Sequence, residues 1–359
     1  MTISWLPFIA RCYNDFLGAR NEWEFAIRPK ERIYVSRANP SLNYAIFRVN
    51  TPEGIFCCKL LLADQRQRAL REWNALRILD QHSLELAPLP VMLDESLSVL
   101  PLPVIVMSWV QGRPLNHQRL IPPMLNELIY ALQRVHSLSP KQTTFDLPAG
   151  WTQPLTFAAM SQSFVDRLQI YQAWLQEANP GLPRVSIQGL QEARLQRQLE
   201  TAVSQSVRLV EQAARLSNTP TPALVRRETT LADVLWTPDG KVRLLDWDAS
   251  GWGDPAYDLA ALRWHPQNQD LSPRQWELMR AAYVPPPLDD AFSQRLRAWE
   301  ALLPVDWCLR SLLALVDAAQ PWRAPGAPPL PESVARQIRL RFDRYLSTTQ
   351  ATLKVPFLI

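Results

Sequence analysis

From Arg32 to Leu62 the apolar residues fall in short runs broken by polar loops: Ile33-Tyr34-Val35, then Tyr44 to Val49, then Ile55 to Leu61. Each run is rich in β-branched or aromatic residues and reads as a strand. Thr51-Pro52-Glu53-Gly54 has the composition of a turn and makes the second and third runs a hairpin. From Gln65 to Gln81 the period changes: Leu70, Trp73, Leu76 and Leu79 recur every three residues among strong helix formers, which predicts a helix. Leu89 to Leu93 and Val104 to Val110 read as two further strands. The order β-β-β-α-β-β predicts an antiparallel sheet carrying one helix.

After Gly112-Arg113-Pro114 the pattern is helical, with a start at Pro122 or Pro123 and an end near His136. A loop rich in Pro, Gly and Thr covers Ser139 to Gln153, and long helical stretches follow over Leu155 to Glu177 and Ile187 to Leu216. A second, short β region lies between Ala223 and Trp247, with Val242 to Leu245 following the turn Pro238-Asp239-Gly240. From Ser272 onward the chain reads as helix interrupted by proline. No repeat at solenoid spacing is present.

Composition narrows the class. With 359 residues the chain has room for two domains, or two lobes sharing a cleft. Its 47% hydrophobic and 20% charged residues are globular values, which excludes disorder over most of the length. A net charge of +4 is too weak an electrostatic footprint for a nucleic-acid binder. Four cysteines, none in a C-x-x-C pair, predict a reducing, cytoplasmic setting, and four histidines give no support to a zinc site. No signal peptide or membrane span is predicted, since the most apolar late stretch, Val305 to Leu315, is cut by Asp306 and Arg310. Glycine is scarce, 10 residues against 32 prolines.

Within Leu224 to Ala260 acidic residues cluster at Glu228, Asp233, Asp246, Asp254 and Asp258. Asp246, at the end of a short apolar strand, offers a hard oxygen ligand suited to Mg²⁺, and Asp233 offers a second on the facing loop. Carboxylates on adjoining strand ends can hold a metal that bridges phosphate oxygens. Asp254 and Asp258 are better read as structural, capping the next helix.

The stretch Gly251-Trp252-Gly253-Asp254-Pro255-Ala256-Tyr257-Asp258-Leu259-Ala260, together with Leu245-Asp246-Trp247-Asp248 and Arg226-Arg227-Glu228, resembles the aminoglycoside phosphotransferase and choline kinase family of the protein-kinase-like superfamily. The likeness extends to Lys59, to Arg71-Glu72, and to Met107 through Leu115, and covers about Ile33 to Trp264. It implies an α+β, protein-kinase-like bilobal fold: a small antiparallel-sheet lobe with five strands and one helix over residues 1–110, and a larger, mainly helical lobe over 111–359. It also implies ATP and Mg²⁺ as cofactors and a small-molecule hydroxyl as acceptor. Lys59 would hold the nucleotide phosphates and pair with Glu72, the backbone of Ser108 to Val110 would meet the adenine, and Asp246 with Asp233 would bind the metal. Glu228 stands where the family has its catalytic Asp.

Three departures fall on that pattern. The family's His-Gly-Asp is Arg226-Arg227-Glu228, which makes the base a methylene longer and sets Arg227 beside it. Asp233 replaces Asn, which adds negative charge beside the phosphates. The segment Ser36 to Asn43 contains no glycine and includes Pro40, so a backbone phosphate cradle is weakened and Ser41 and Asn43 are the side-chain donors left to it. These changes keep a second reading open, an inactive pseudokinase that binds a nucleotide, a metabolite or a protein partner.

The remaining features have plain readings. Trp247, Trp252 and Trp264 fit core packing better than a cation cage. His136 reads as a structural histidine, Cys57-Cys58 as small core residues, and the arginines at 66, 68 and 71 as solvated helix surface.

Overall fold

The computed structural model describes residues 3–15, 20–28, 31–40, 44–117, 119–147, 156–177, 193–216, 221–268, 271–285, 289–319 and 331–353. In chain order the elements are α1 (Leu6–Asn14), β1 (Glu22–Arg28), β2 (Glu31–Pro40), β3 (Tyr44–Thr51), β4 (Gly54–Leu61), α2 (Arg68–Gln81), β5 (Pro90–Asp94), β6 (Val104–Ser108) and β7 (Arg113–Pro114). Then follow α3 (Pro122–His136), α4 (Phe157–Glu177), α5 (Ala193–Leu216), β8 (Ala223–Val225), β9 (Val234–Trp236), β10 (Val242–Leu244) and β11 (Gly251–Gly253). The last are α6 (Pro255–Trp264), α7 (Pro273–Ala282), α8 (Phe292–Ala319) and α9 (Glu332–Thr352).

Two compact units divide the chain, Met1–Pro154 with Pro222–Gly253 and Ser272–Pro286, and Leu155–Thr221 with Asp254–Leu271 and Pro287–Ile359. The first unit continues through β7 to α3 and takes in the hairpin β9–β10.

The first unit is built on an antiparallel sheet of order β1-β2-β3-β4-β6-β5. It has six strands where five were expected, because Glu22-Trp23-Glu24-Phe25-Ala26-Ile27-Arg28 adds an edge strand. The signal is present in its alternation, with Trp23 buried and Phe25 and Ile27 half-buried. β2 also runs on to Pro40, opposite Ala45 on β3, so most of the expected glycine-free loop is strand, with an irregularity in register between Arg37 and Asn39. Ser41 and Asn43 lie outside the described residues.

Strand periodicity gives the sheet two different faces. Ala45, Phe47 and Val49 on β3, Cys58 and Leu60 on β4, and Val104 and Val106 on β6 turn to one side. There they pack with Trp5 and with Leu6, Ile9 and Cys12 of α1, a second helix of this sheet that the sequence pattern did not assign. The alternate residues Ile46, Arg48, Cys57, Lys59 and Met107 line a cavity on the opposite side. Segment 109–112 then leads from β6 into β7, which pairs with β9 in a three-stranded sheet.

Glycine is placed where backbones approach. A Cβ on Gly112 would stand 2.9 Å from Leu235 Cβ and 2.9 Å from the Trp236 carbonyl, and one on Gly253 would meet Val225 Cγ2 at 2.9 Å. A chain this poor in glycine retains it at these contacts.

The second unit is helical, with α8 packed against α4, α5, α6 and α9. Pro304 sits inside α8 without ending it. Asp254 caps α6, accepting from the Ala256 N–H at 3.0 Å, and also takes Arg295 Nε and Trp299 Nε1, each at 2.9 Å. Among the described residues no helix is long and apolar enough to cross a membrane.

Phe47 is fully buried and meets Trp23 edge-on at 6.1 Å. Phe47→Ala is expected to lower stability by about 3–5 kcal/mol, read as a fall in the urea midpoint at unchanged slope; an unmoved midpoint would show that α1 and the sheet do not form one core.

Candidate active site

The cavity has a volume of about 410 Å³, within the range of small-ligand sites. Ile46, Cys57 and Met107 line it from the six-stranded sheet, and Leu235 and Leu245 from the segments about β9 and β10. Its charged groups are Arg48, Lys59, Glu72, Asp233 and Asp246.

Lys59 holds the centre. Its ammonium is 2.7 Å from Glu72 Oε2 and 2.7 Å from Asp246 Oδ1, and it lies 4.7 Å from the centre of the Tyr44 ring. Burial works against the ammonium, but Asp246, Glu72 and then Asp248 outweigh it and hold its pKa well above the usual lysine range. Burial would likewise raise Asp246, yet Lys59, followed by Arg226 and Arg68, brings it below the ordinary carboxylate value. Glu72 is pushed up to about 7, by burial first, with Lys59 opposing and Asp246 and Asp248 adding to the rise.

Asp233 and Asp246 meet for a reason visible in the register. In the hairpin β9–β10 Val234 faces Leu244, so residues just before β9 and just after β10 lie at the same end, and the Leu245 N–H donates to the Asp233 carbonyl at 2.8 Å. The thirteen-residue spacing of the two aspartates is therefore the span of one hairpin. Asp233 follows Thr230, whose hydroxyl donates to its carboxylate and accepts from its N–H at 3.2 Å. Burial, then the Asp246 charge, raises the Asp233 pKa.

Helix α2 departs from its expected pattern. Leu76 and Leu79 are buried, but Leu70 and Trp73 are only half-buried, while Arg71 and Glu72 are each 1% exposed. Arg68, Arg71 and Glu72 share one helix face and all reach the segment 246–250. Arg68 pairs with Asp248 at 2.7 Å, Arg71 donates to the Ser250 carbonyl at 2.8 Å, and Glu72 accepts from the Trp247 N–H at 3.4 Å. The arginines at 68 and 71 are thus a clasp rather than solvated surface, which corrects the sequence reading; their partners lie about 180 residues away, so no local pattern marks them. A second set of contacts holds the helix from residues 142–146: Asn74 donates to the Asp146 carbonyl at 2.6 Å and Arg77 lies over Phe145 at 4.9 Å.

The loop after β8 carries the altered motif. Arg226 is buried, its guanidinium 5.4 Å from the centre of the Trp247 ring and donating to the Leu245 carbonyl. Arg227 and Asp246 adopt left-handed backbone, φ +69° and +57°. Such conformations cost non-glycine residues roughly 1–3 kcal/mol each and persist where the surroundings enforce them. Glu228 is exposed and does not line the cavity.

At the strand end of the cavity, the Ser108 N–H donates to the Leu89 carbonyl at 2.9 Å and the Trp109 N–H to the Ile55 carbonyl at 3.0 Å. Ser108 and Val110 both line the cavity, and Arg48 lies over the Trp109 ring at 5.3 Å. The structure therefore brings Lys59, Glu72, Ser108, Val110, Asp233 and Asp246 to one cavity and leaves Glu228 off its lining; Ser41 falls outside the described residues. Arg68, Arg71, Asp248 and Arg226 join the site without having been marked for it. Trp247 is fully buried, its Nε1 donating to the Leu244 carbonyl at 2.9 Å, and His136 is buried against the Tyr283 hydroxyl at 2.7 Å, both as core residues. All four cysteines are free thiols, and burial pushes Cys57 up to about 12.

Solved structures of similar fold include choline kinases and an antibiotic phosphotransferase. A choline/ethanolamine kinase family protein from Mesorhizobium loti is 17% identical, with 98% of this chain and 96% of that one covered at a TM-score of 0.57. Choline kinase LicA from Streptococcus pneumoniae is 13% identical over 96% and 98%, TM-score 0.56. Spectinomycin phosphotransferase APH(9)-Ia, solved with ADP and spectinomycin, is 12% identical over 90% and 94%, TM-score 0.58. At these identities the likeness is one of fold. No curated protein matches the chain. The family itself is set by sequence: residues 41–284 match the phosphotransferase enzyme family, and the chain belongs to it.

Removing the ammonium alone would leave Glu72 and Asp246 facing each other unpaired. Lys59→Met is expected to destabilise the protein by about 3–5 kcal/mol, and adding Glu72→Gln and Asp246→Asn should restore most of that loss. A denaturant series on the single and triple variants checks it, and equal midpoints for wild type and Lys59→Met would refute a stabilising role for the ion cluster.

Proposed function

We propose that the protein is an ATP- and Mg²⁺-dependent phosphotransferase acting on a hydroxyl of a small molecule. The observation that carries this reading is the shared Lys59 ammonium, fixed between Glu72 and Asp246 in a cavity that also holds Asp233. Lys59 supplies the positive charge for the nucleotide phosphates, with Glu72 keeping it oriented. The backbone of Ser108 to Val110 is assigned to the adenine, in a cavity that Ile46 and Leu235 also line. Ser41 is assigned to the phosphate-binding turn. On this reading the nucleotide lobe ends near residue 110 and the rest of the chain supplies the acceptor side, in a cytoplasmic protein.

The donor set suits Mg²⁺. Asp233 and Asp246 are hard oxygen donors at one hairpin end, and Mg²⁺ is usually held by one or two carboxylates, with phosphates and water completing its shell. Among the described residues no cluster of three or more His, Cys, Asp or Glu side chains stands ready for a metal, which fits an ion that arrives with the nucleotide. When bound, the ion neutralises charge on the β- and γ-phosphates. In the transfer, the acceptor hydroxyl oxygen bonds to the γ-phosphorus as the bond to the bridging oxygen of ADP breaks, and Glu228 accepts the hydroxyl proton.

The exposure of Glu228 favours a second reading, a pseudokinase that keeps the nucleotide cavity as a binding module for a metabolite or a protein partner. Melting temperature with ATP alone, Mg²⁺ alone, and both tests the nucleotide site. A rise that requires both is expected, equivalent to about 2.7 kcal/mol at a ligand concentration 100 times Kd, and no rise at millimolar ligand would remove the phosphotransferase reading and leave a module for a metabolite or a protein partner. Turnover then separates them: Glu228→Gln should cut phosphate transfer by about 10²- to 10⁴-fold with nucleotide binding retained, while Glu228→Asp keeps or raises it. The same low turnover in wild type and both variants would leave the binding module.

A further inference from the structure

Arginine is rarely buried without partners, and here one is buried in the loop where the family carries histidine. Its Nη2 donates to the Leu245 carbonyl and lies 3.5 Å from the Asp246 carbonyl, and its guanidinium sits over the Trp247 ring. Three consecutive residues are thus gripped by one side chain. The middle one is Asp246, whose backbone is left-handed at φ +57°, a conformation that costs a residue with a side chain free energy.

We propose that Arg226 is a positioning residue for Asp246: its guanidinium ties down the carbonyls on either side of the Asp246 N–Cα bond and so aims the carboxylate at the metal and at Lys59. The inference deepens the phosphotransferase reading and rests on it for the metal, though the backbone restraint stands independently. Nη2 carries two protons, so this one nitrogen can serve two successive carbonyls, which a single imidazole nitrogen with at most one proton cannot. The charge is permanent, so the restraint does not depend on protonation.

Arg226→Gln, Arg226→Lys and Arg226→His distinguish positioning from simple packing through two readouts. The first is amide hydrogen exchange over residues 245–250 of the full-length protein, where faster exchange is expected in Arg226→Gln and an intermediate rate in Arg226→Lys. The second is calorimetric binding of ADP with and without MgCl₂. Affinity with Mg²⁺ should fall by about 10- to 100-fold in Arg226→Gln, the usual cost of losing a group that orients a metal ligand, and affinity without Mg²⁺ should change little. Arg226→His should recover part of the loss. Equal losses with and without Mg²⁺, or unchanged exchange over 245–250, would overturn the proposal. If wild type itself binds no ADP with Mg²⁺, the phosphotransferase reading falls and the exchange comparison alone decides the positioning role. Should Arg226→Gln not fold, Arg226→Lys and Arg226→His decide by the same two readouts.

Discussion

One buried ammonium sets the geometry of the first unit. Lys59 enters the interior on a strand whose alternate side chains, Cys58 and Leu60, are committed to an apolar core, so its own direction is not free. A charge so placed must be paired. Glu72 comes from α2 and Asp246 from the segment after β10, so one nitrogen ties a strand, a helix and a loop that are far apart in sequence. Arg68 and Arg71 repeat the attachment with neutral and charged partners on the same loop. The helix is therefore held by polar contacts at positions where a packing helix would carry leucine.

Part of the backbone strain falls beside this cluster. Of the six non-glycine residues with positive φ among the described residues, Arg227 and Asp246 lie on the loops next to Lys59, and Gly112 and Gly253 stand where a side chain would collide. Sequences tend to break local rules at functional sites and compensate elsewhere. Here the compensation is visible: the Asp246 backbone is gripped through its neighbours by Arg226, and the Asp246 side chain is matched by Lys59.

Much of the fold was legible because its signals are local. The turn at Thr51–Gly54, the period of β3 and β4 and the helix after them all followed from residues within a few positions of one another, and the six-stranded sheet was missed by one strand whose alternation was already present at Glu22 to Arg28. The hairpin that unites Asp233 with Asp246 was legible for the same reason, since a turn and two short apolar runs define its register. Arg68 and Arg71 were not, because an arginine in a helix looks alike whether it faces water or a partner about 180 residues away, and the burial of Arg226 depends on carbonyls 19 and 20 residues on that only folding brings to it. Glu228 shows the converse limit: its place in the motif is clear, while its exposure depends on how the preceding Arg226 and Arg227 turn the backbone.

By itself the sequence determined the succession of strands and helices, the membership of the phosphotransferase family, and the residue types able to carry the chemistry, because periodicity, turn composition and motif spacing act over short separations. Only the tertiary structure decided which of those residues share a cavity, which cations are buried, and which backbone is held in a strained conformation. Burial and pairing of charge are properties of neighbours brought together by folding, and the same side chain reverses its energetic sign when water is exchanged for a partner.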